Sequence, residues 1–264
     1  MHLYIKMRFQ PFEFIPIHYN YWLQAILYRV MDIETAEQVH DQGFEGEGRI
    51  FRLFTFSQLR GRYELSPDKK SIRFPAECQW IVASPIDWIL GSIAGGLLRK
   101  PVIKIGPTSA EITEVRVEHP TVQGERLRVR TVSPVVAYST MLKGDGQKYT
   151  VYLHPGEPEF RRIVHENLRK KLESAYRLRR AVNSRRSIQG PLLPSSIATN
   201  ELRLRTLNTP HLHILEYKGG VIKGYSGSLE LSGPTELLQI ALDAGLGSKN
   251  AQGFGCLEVI GQRC

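Results

Sequence analysis

The stretch "PTELLQIALDAGLGSKNAQGFGCLEVI" (Pro234 to Ile260) passes from a helical run through a glycine loop into a strand. Pro234 to Ala244 reads as a helix capped by Ser232, and "GFGCLEVI" as the strand that follows. Between them Gly245, Gly247, Gly253 and Gly255 fall within eleven residues. Glycine-dense loops of this kind commonly hold phosphate. A P-loop is excluded by spacing, because five residues follow Gly247 before Gly253-Phe254. A dinucleotide fingerprint is excluded too, since it needs a glycine where Asn250 stands and a strand, not a helix, upstream. What remains is a helix C-cap at Gly245 with a turn after it, or a cradle for some other phosphate.

The helix–loop–strand unit closes a pattern that occurs twice. The first half reads as a strand (about Leu3 to Phe9), an apolar helix (Tyr21 to Met31) and a short amphipathic segment (Ala36 to His40). Strands follow near Phe51 to Ser57, Gly61 to Leu65 and Ser71 to Val82. Then come the helix "SPIDWILGSIAGGLL" with Ser84 as N-cap, and strands near Val102 to Ile105 and Glu111 to Val117. The second half has strand-like "RLRVRTVSPVVAYS", a hairpin at Lys143 to Gln147, a basic helix, and alternating "LRLRTLN", "HLHILEY" and "GYSGSLELS" before the closing unit. Each half is β-α-β-β-α-β, so the fold class is α+β with two tandem ferredoxin-like domains, the fold also of RNA-binding RRM domains. The junction falls near Pro120 to Glu125, giving domains 1–122 and 123–264. Val182 to Thr199 lacks periodicity and reads as a loop.

The 264 residues allow two ordinary domains, with hydrophobic content of 42% and charged content of 23% in the soluble globular range. Lys+Arg number 35 against Asp+Glu 26, a net charge of +9 that favours a polyanionic partner. Cys78, Cys256 and Cys264 are far apart and form no CxxC pair, which argues against a disulfide framework or zinc site and fits a reducing compartment. "MHLYIKMRFQPFEF" lacks a signal-peptide core, and the longest apolar run, "WILGSIAGGLL", is too short to span a bilayer. The expectation is a cytoplasmic protein with no membrane partner and no cofactor.

The charge is concentrated. From Arg161 to Arg186 lie ten basic residues, among them Arg161, Arg162, Arg169, Lys170, Arg185 and Arg186, against Glu166 and Glu173. Phe160, Ile163, Val164, Leu168, Leu172 and Ala175 recur at helical spacing within the same run. A helix with a core face and a basic outer face follows, either a solvated surface or a phosphate-backbone site.

An RRM stacks bases on paired strand aromatics, and no such motif occurs; the alternation of "FRLFTFS" sends Phe54 and Phe56 into the core. In "YNYWLQAILYRVM" Leu23, Ile26, Leu27 and Val30 form the core stripe, leaving Tyr21, Gln24 and Tyr28 on the other side. In "AEQVHDQGF", His40 lies near the end of a short helix beside Asp41, with Gly43 as a stop. His211 and His213 share one face of a strand, without an evident third ligand for a metal.

Together "YNYWLQAILYRV", "VHDQGF", "RLFTFS" and "GLGSKNAQGFGCLEV" resemble the CRISPR-associated endoribonucleases of the Cas six type, within the RAMP superfamily. That family ends in Gly-hydrophobic-Gly, five residues, Gly-hydrophobic-Gly, which Gly245-Leu246-Gly247 and Gly253-Phe254-Gly255 match in full. The matches sit at both ends of the chain; residues 100–232 agree in pattern only. The resemblance implies two ferredoxin-like domains and metal-independent cleavage of CRISPR precursor RNA within its repeat. The opening loop, with Lys249 adding charge, then becomes a backbone cradle for RNA phosphates.

The implied chemistry is attack by the substrate's own 2′-OH on the adjacent phosphate, leaving a 2′,3′-cyclic phosphate and a 5′-OH. The protein must position the attack, move protons and stabilise the phosphorane. A histidine suits the proton work. His40 falls where the family carries its catalytic histidine, and His18, before the first helix, is a second candidate. Tyr28 matches a tyrosine that some members use. Arg52 stands where some members carry a lysine, and an arginine there can stabilise negative charge but is a poor proton donor at neutral pH. The resemblance makes CRISPR repeat RNA the partner, with other CRISPR effector-complex subunits or a second copy of the chain as further candidates. The alternative is a non-catalytic CRISPR RNA-binding RAMP subunit of a surveillance complex.

Overall fold

In the computed structural model, which describes residues 1–182 and 202–261, the first strand, β1 (His2–Phe9), sets the pattern for its domain. Leu3, Ile5 and Met7 point into the core while Tyr4, Lys6 and Arg8 alternate outward. Around it assemble β2 (Thr55–Phe56), β3 (Cys78–Ala83), β4 (Val102–Ile105) and β5 (Thr108–Glu118) in the antiparallel order β2-β3-β1-β5-β4. The helix α1 (Asn20–Val30) buries its stripe of Leu23, Ile26, Leu27 and Val30. The short α2 (Ile33–Glu37) runs straight into a π-helical turn, Gln38–Gln42. The helix α3 (Asp87–Arg99) buries Ile89, Leu90, Ile93 and Leu97, each contributing about 1.5–3 kcal/mol of burial.

The second domain repeats the arrangement. After β6 (Arg126–Thr131) comes a hairpin, β7 (Tyr138–Leu142) and β8 (Lys148–Tyr152), and then the long helix α4 (Pro158–Val182). Then follow β9 (Arg203–Thr206), a second hairpin of β10 (His211–Tyr217) and β11 (Gly220–Ser226), β12 (Ser228–Ser232), α5 (Thr235–Ala244) and β13 (Leu257–Val259). The sheet order is β9-β12-β6-β13. Numbering only the four framework strands of each half, both sheets read 2-3-1-4. The tandem ferredoxin-like architecture read from the sequence is the observed one.

Several local readings change. The strand expected over Phe51 to Ser57 is broken at Leu53, whose φ of 48° is left-handed, into Arg49–Phe51 and β2. The run from Ser71 to Val82 likewise splits into Ser71–Arg73 and β3, and only Glu64–Leu65 of Gly61 to Leu65 is extended. Ser84 does not cap α3: Ile86 holds the N-cap position, while the Ser84 hydroxyl accepts from the Ile86 amide and donates to the Leu53 carbonyl. Ser232 does not cap α5, which starts after Pro234 without a side-chain cap. The loop expected at Val182 to Thr199 lies, after Val182, outside the described residues, as do Arg185, Arg186 and Cys264.

The halves are joined by side chains from α1 reaching the glycine loop. Asn20 Nδ2 donates to the carbonyls of Gln252 (3.0 Å) and Gly253 (3.1 Å), and Gln24 Nε2 to that of Ala251 (2.7 Å). Thr55 Oγ1 donates to Phe254 O at 3.0 Å, and the buried pair His2–Asp243 adds a tie at 3.0 Å. Between the last framework strand of one domain and the first of the other, Val122 is buried with its amide on Gln239 Oε1.

Candidate active site and nucleic-acid interface

Where α1, the π-helical turn, the segment from Arg49 to Phe54, α4 and the glycine loop converge, they enclose an open cleft of about 400 Å³. Tyr28, His40, Arg52 and Lys249 all line it, residues more than two hundred positions apart in the chain. His18 is not among the lining residues; its Nδ1 accepts from the Glu216 amide at 3.3 Å.

His40 stands on the π-helical turn, a one-residue widening that swings its side chain off the regular α2 face. Its Nδ1 lies 2.6 Å from Asp41 Oδ1, which orients the ring and leaves Nε2 for other work. The ring is 4.9 Å from that of Tyr28, edge to face. Burial pushes the Tyr28 hydroxyl up to about 12, with the neighbouring Arg52 guanidinium opposing that rise. The phenol is therefore neutral at physiological pH and available as a hydrogen-bond donor. Arg52 Nη1 is buried without a hydrogen-bond partner. It packs against Gly43, where φ is 66° and any Cβ would collide with the guanidinium. The glycine expected only as a helix stop thus also gives Arg52 its position. An unpaired buried donor beside an oriented imidazole and a neutral phenol is suited to a charged oxygen.

The glycine loop is built differently from the expected cradle. Its amides at Leu246, Ser248, Gln252, Gly253 and Gly255 donate to the protein carbonyls of Gly255, Val136, Lys249, Asn250 and Pro134. Gly245, Gly247, Gly253 and Gly255 have φ from 70° to 84°. A Cβ would run into Asn250 and Thr55 at the first, the Val136 carbonyl at the second, the Phe56 ring at the third and the Leu246 carbonyl at the fourth. These glycines meet a packing demand, and those five amides are spent within the protein. What the loop offers the cleft is Lys249, itself left-handed at φ 62°, with its ammonium 5.4 Å from the Tyr138 ring centroid. Beneath it Lys171 is buried, with Nζ donating to Gly245 O (2.7 Å), Gly247 O (2.9 Å) and Asn250 Oδ1 (2.6 Å). Burial, together with the nearby Arg49 charge, pushes that lysine well below its ordinary range.

The basic helix is also less one-sided than its sequence. Phe160, Val164, Leu168, Leu172 and Ala175 are buried as expected, and Ile163 is half-buried. But Arg162 is held by Glu159 and Glu166, Arg169 by Glu47, and Arg177 by Glu173 and Glu45. Glu45 and Glu47 belong to a hairpin more than a hundred residues away, and Glu159 lies just outside the counted run. Arg161 is exposed and Lys170 half-buried on the outer side.

A second cationic surface was not read from the sequence. The outward faces of β6 and β9 carry Arg126, Arg128, Arg130, Arg203 and Arg205. Glu230 is shared by Arg128 (3.0 Å) and Arg205 (2.9 Å), and Glu258 by Arg130 (2.6 Å) and, across the domain boundary, Arg60 (2.8 Å). Two guanidinium groups per carboxylate leave each rung net positive. The signal was present in "RLRVR" and "LRLR", where arginine alternates with leucine or valine at strand period. The rings of His211 and His213 meet edge to face at 4.8 Å, His213 Nε2 lies 2.7 Å from Ser226 Oγ, and burial, with the His211 charge second, lowers the pKa of His213. Among the described residues no group of three metal-ligating side chains occurs, and no helix is long and apolar enough to cross a membrane.

Comparison with known proteins finds two family models. "CRISPR associated protein Cas6, C-terminal" matches residues 117–259, and "CRISPR-associated protein Cas6, N-terminal" matches 14–116. The chain is 22% identical over 255 residues to "CRISPR-associated endoribonuclease Cas6 1" of Methanocaldococcus jannaschii, covering 97% of this chain and 91% of that protein. A solved structure described as "Characterization of a Cas6-related gene from Pyrococcus furiosus" superposes with a TM-score of 0.76 at 20% identity, covering 100% and 99% of the two chains. Another, "An RAMP protein binding different RNA substrates", gives 0.74 at 19% identity over 98% and 99%. At these identities the superpositions speak to fold.

Proposed function

The chain belongs to the CRISPR-associated Cas6 family, and we propose that it is an endoribonuclease that cuts CRISPR precursor RNA within the repeat, using no metal ion. The observation that carries the reading is the convergence of His40, Tyr28 and Arg52 in one cleft, with a buried Arg52 nitrogen lacking any partner. In the reaction the 2′-OH upstream of the cut attacks phosphorus, and the bond to the 5′-oxygen breaks. His40, oriented by Asp41, relays one proton at Nε2, from the attacking 2′-OH to the departing 5′-oxygen. Arg52 meets the phosphorane oxygens with a permanent charge, and the neutral Tyr28 hydroxyl donates a hydrogen bond to the same region. Lys249 and the arginine rungs on β6 and β9 bind the flanking backbone.

The test is incubation with the CRISPR repeat RNA of the same genome. Cleavage is expected to persist in EDTA and to leave a 2′,3′-cyclic phosphate. It is expected to stop when the nucleotide upstream of the cut is 2′-deoxy. A requirement for magnesium, or cutting of the deoxy substrate, would overturn the mechanism. Tight binding without any cutting would favour a non-catalytic RNA-binding subunit instead.

A further inference from the structure

Nη1 of Arg52 is not the only polar atom in the cleft without a partner. Asn167, on α4, is 4% exposed, and its Oδ1 is buried with no hydrogen bond. Gln252, at the end of the glycine loop, has its Oε1 in the same condition. The backbone of Gln252 is already engaged, its amide on Lys249 O and its carbonyl on Asn20 Nδ2. Both side chains line the same cleft as Tyr28, His40 and Arg52. Each unpaired buried carbonyl disfavours the free protein. Leucine at position 167 would continue the apolar pattern of Val164 and Leu168 without that cost. Such orphans persist where a ligand supplies the missing partner.

The three orphans define a complement: one acceptor for the guanidinium and two N–H donors for the two amide oxygens. A nucleotide carries both, a phosphate oxygen and, on three of the four bases, an exocyclic amine with two N–H groups. Uracil presents one N3–H between two carbonyls, so one amide oxygen would face another acceptor. We infer that Asn167 and Gln252 form a base-reading subsite beside the cutting centre, selecting a nucleotide next to the scissile phosphate whose base bears an exocyclic amine. The inference rests on the RNA-cleavage reading above and makes the cleft a specificity site as well as a catalytic one.

The experiment uses the full chain and repeat RNA with a 2′-deoxy nucleotide upstream of the cut, so that binding is read without cleavage. Each nucleotide flanking the cut is replaced in turn by the four bases and by amine-free analogues, namely purine for adenine and hypoxanthine for guanine. At one of the two positions, loss of the amine is expected to weaken binding roughly ten- to a hundredfold. Asn167→Leu is expected to bind amine-bearing and amine-free RNAs alike while melting no lower than the parent protein. Gln252→Leu should narrow the same difference, and serves if Asn167→Leu fails to fold. Equal binding of all RNAs by the parent protein, or discrimination retained by both variants, overturns the inference. All-ribose RNA that is bound with discrimination but never cut overturns the cleavage reading alone. RNA that is cut without discrimination overturns the subsite alone, and absence of binding overturns both.

Discussion

At the scale of single residues, the mechanism we propose separates proton transfer, at His40, from charge stabilisation, at Arg52 and Tyr28. His40→Ala is expected to slow repeat cleavage by roughly a hundredfold or more, the usual loss for an acid–base group, with RNA affinity nearly unchanged. His18→Ala should cut normally, because His18 is absent from the cleft lining; the opposite pair of rates would move the proton carrier to His18. Tyr28 sharpens the assignment. Its pKa, raised by burial to about 12, keeps the hydroxyl protonated across the neutral range. Tyr28→Phe should therefore lower the rate, by about tenfold for one missing donor in a transition state, and leave the shape of the pH–rate profile between about pH 6 and 9 intact. A limb that vanished with the hydroxyl would show the phenol titrating in the reaction.

Elements set where those residues stand, and the glycine loop is the clearest case. It joins α5 to β13 while contributing one wall of the cleft, and its four glycines sit left-handed against protein atoms. Alanine at Gly247 would face about 1–2 kcal/mol from its φ alone, before the encounter with the Val136 carbonyl; Gly253→Ala adds a collision with Phe56. The double variant should lose much of its thermal stability, and RNA binding should fall only in proportion to folded protein. Normal melting with weakened binding would restore the phosphate cradle. The charged elements follow the same logic. Arg162 and Arg169 are neutralised by neighbouring glutamates, whereas Arg128 and Arg205 share one. Replacing Arg128 and Arg205 with glutamine should reduce the salt dependence of RNA binding, by somewhat under one unit of log–log slope for each RNA phosphate that the protein ceases to neutralise. The same change at Arg162 and Arg169 should reduce it less, and a reversed order would return the RNA to α4.

Over the whole molecule, two copies of one fold meet along a seam that holds the candidate site. Catalytic candidates come from the first domain, while Lys171, Lys249, Asn167 and Gln252 come from the second. Asn20, Gln24 and Thr55 hold the seam by hydrogen bonds to loop carbonyls. Loosening it should therefore impair cleavage without touching a catalytic side chain.

What the sequence determined by itself was the order and kind of elements, because hydrophobic period is a local property. Alternation in "LYIKMRF" and "RLRVRT" and the stripe Leu23, Ile26, Leu27 and Val30 are fixed by neighbours a few positions apart. The spacing of the last four glycines likewise marked the loop, and the short motifs at each end of the chain carried the resemblance. What only the tertiary structure decided were pairings between distant segments. Glu47 cancels Arg169 from 122 positions away, and Asn20 reaches a carbonyl 233 positions on. Nη1 of Arg52 is left without a partner where Gly43 makes room for it. Charge counted along a helix cannot register a partner on another hairpin, and a glycine's spacing does not say which atoms crowd it. Burial and hydrogen bonding are settled only when the chain closes on itself, which is why the basic helix and the glycine cradle changed meaning while the fold did not.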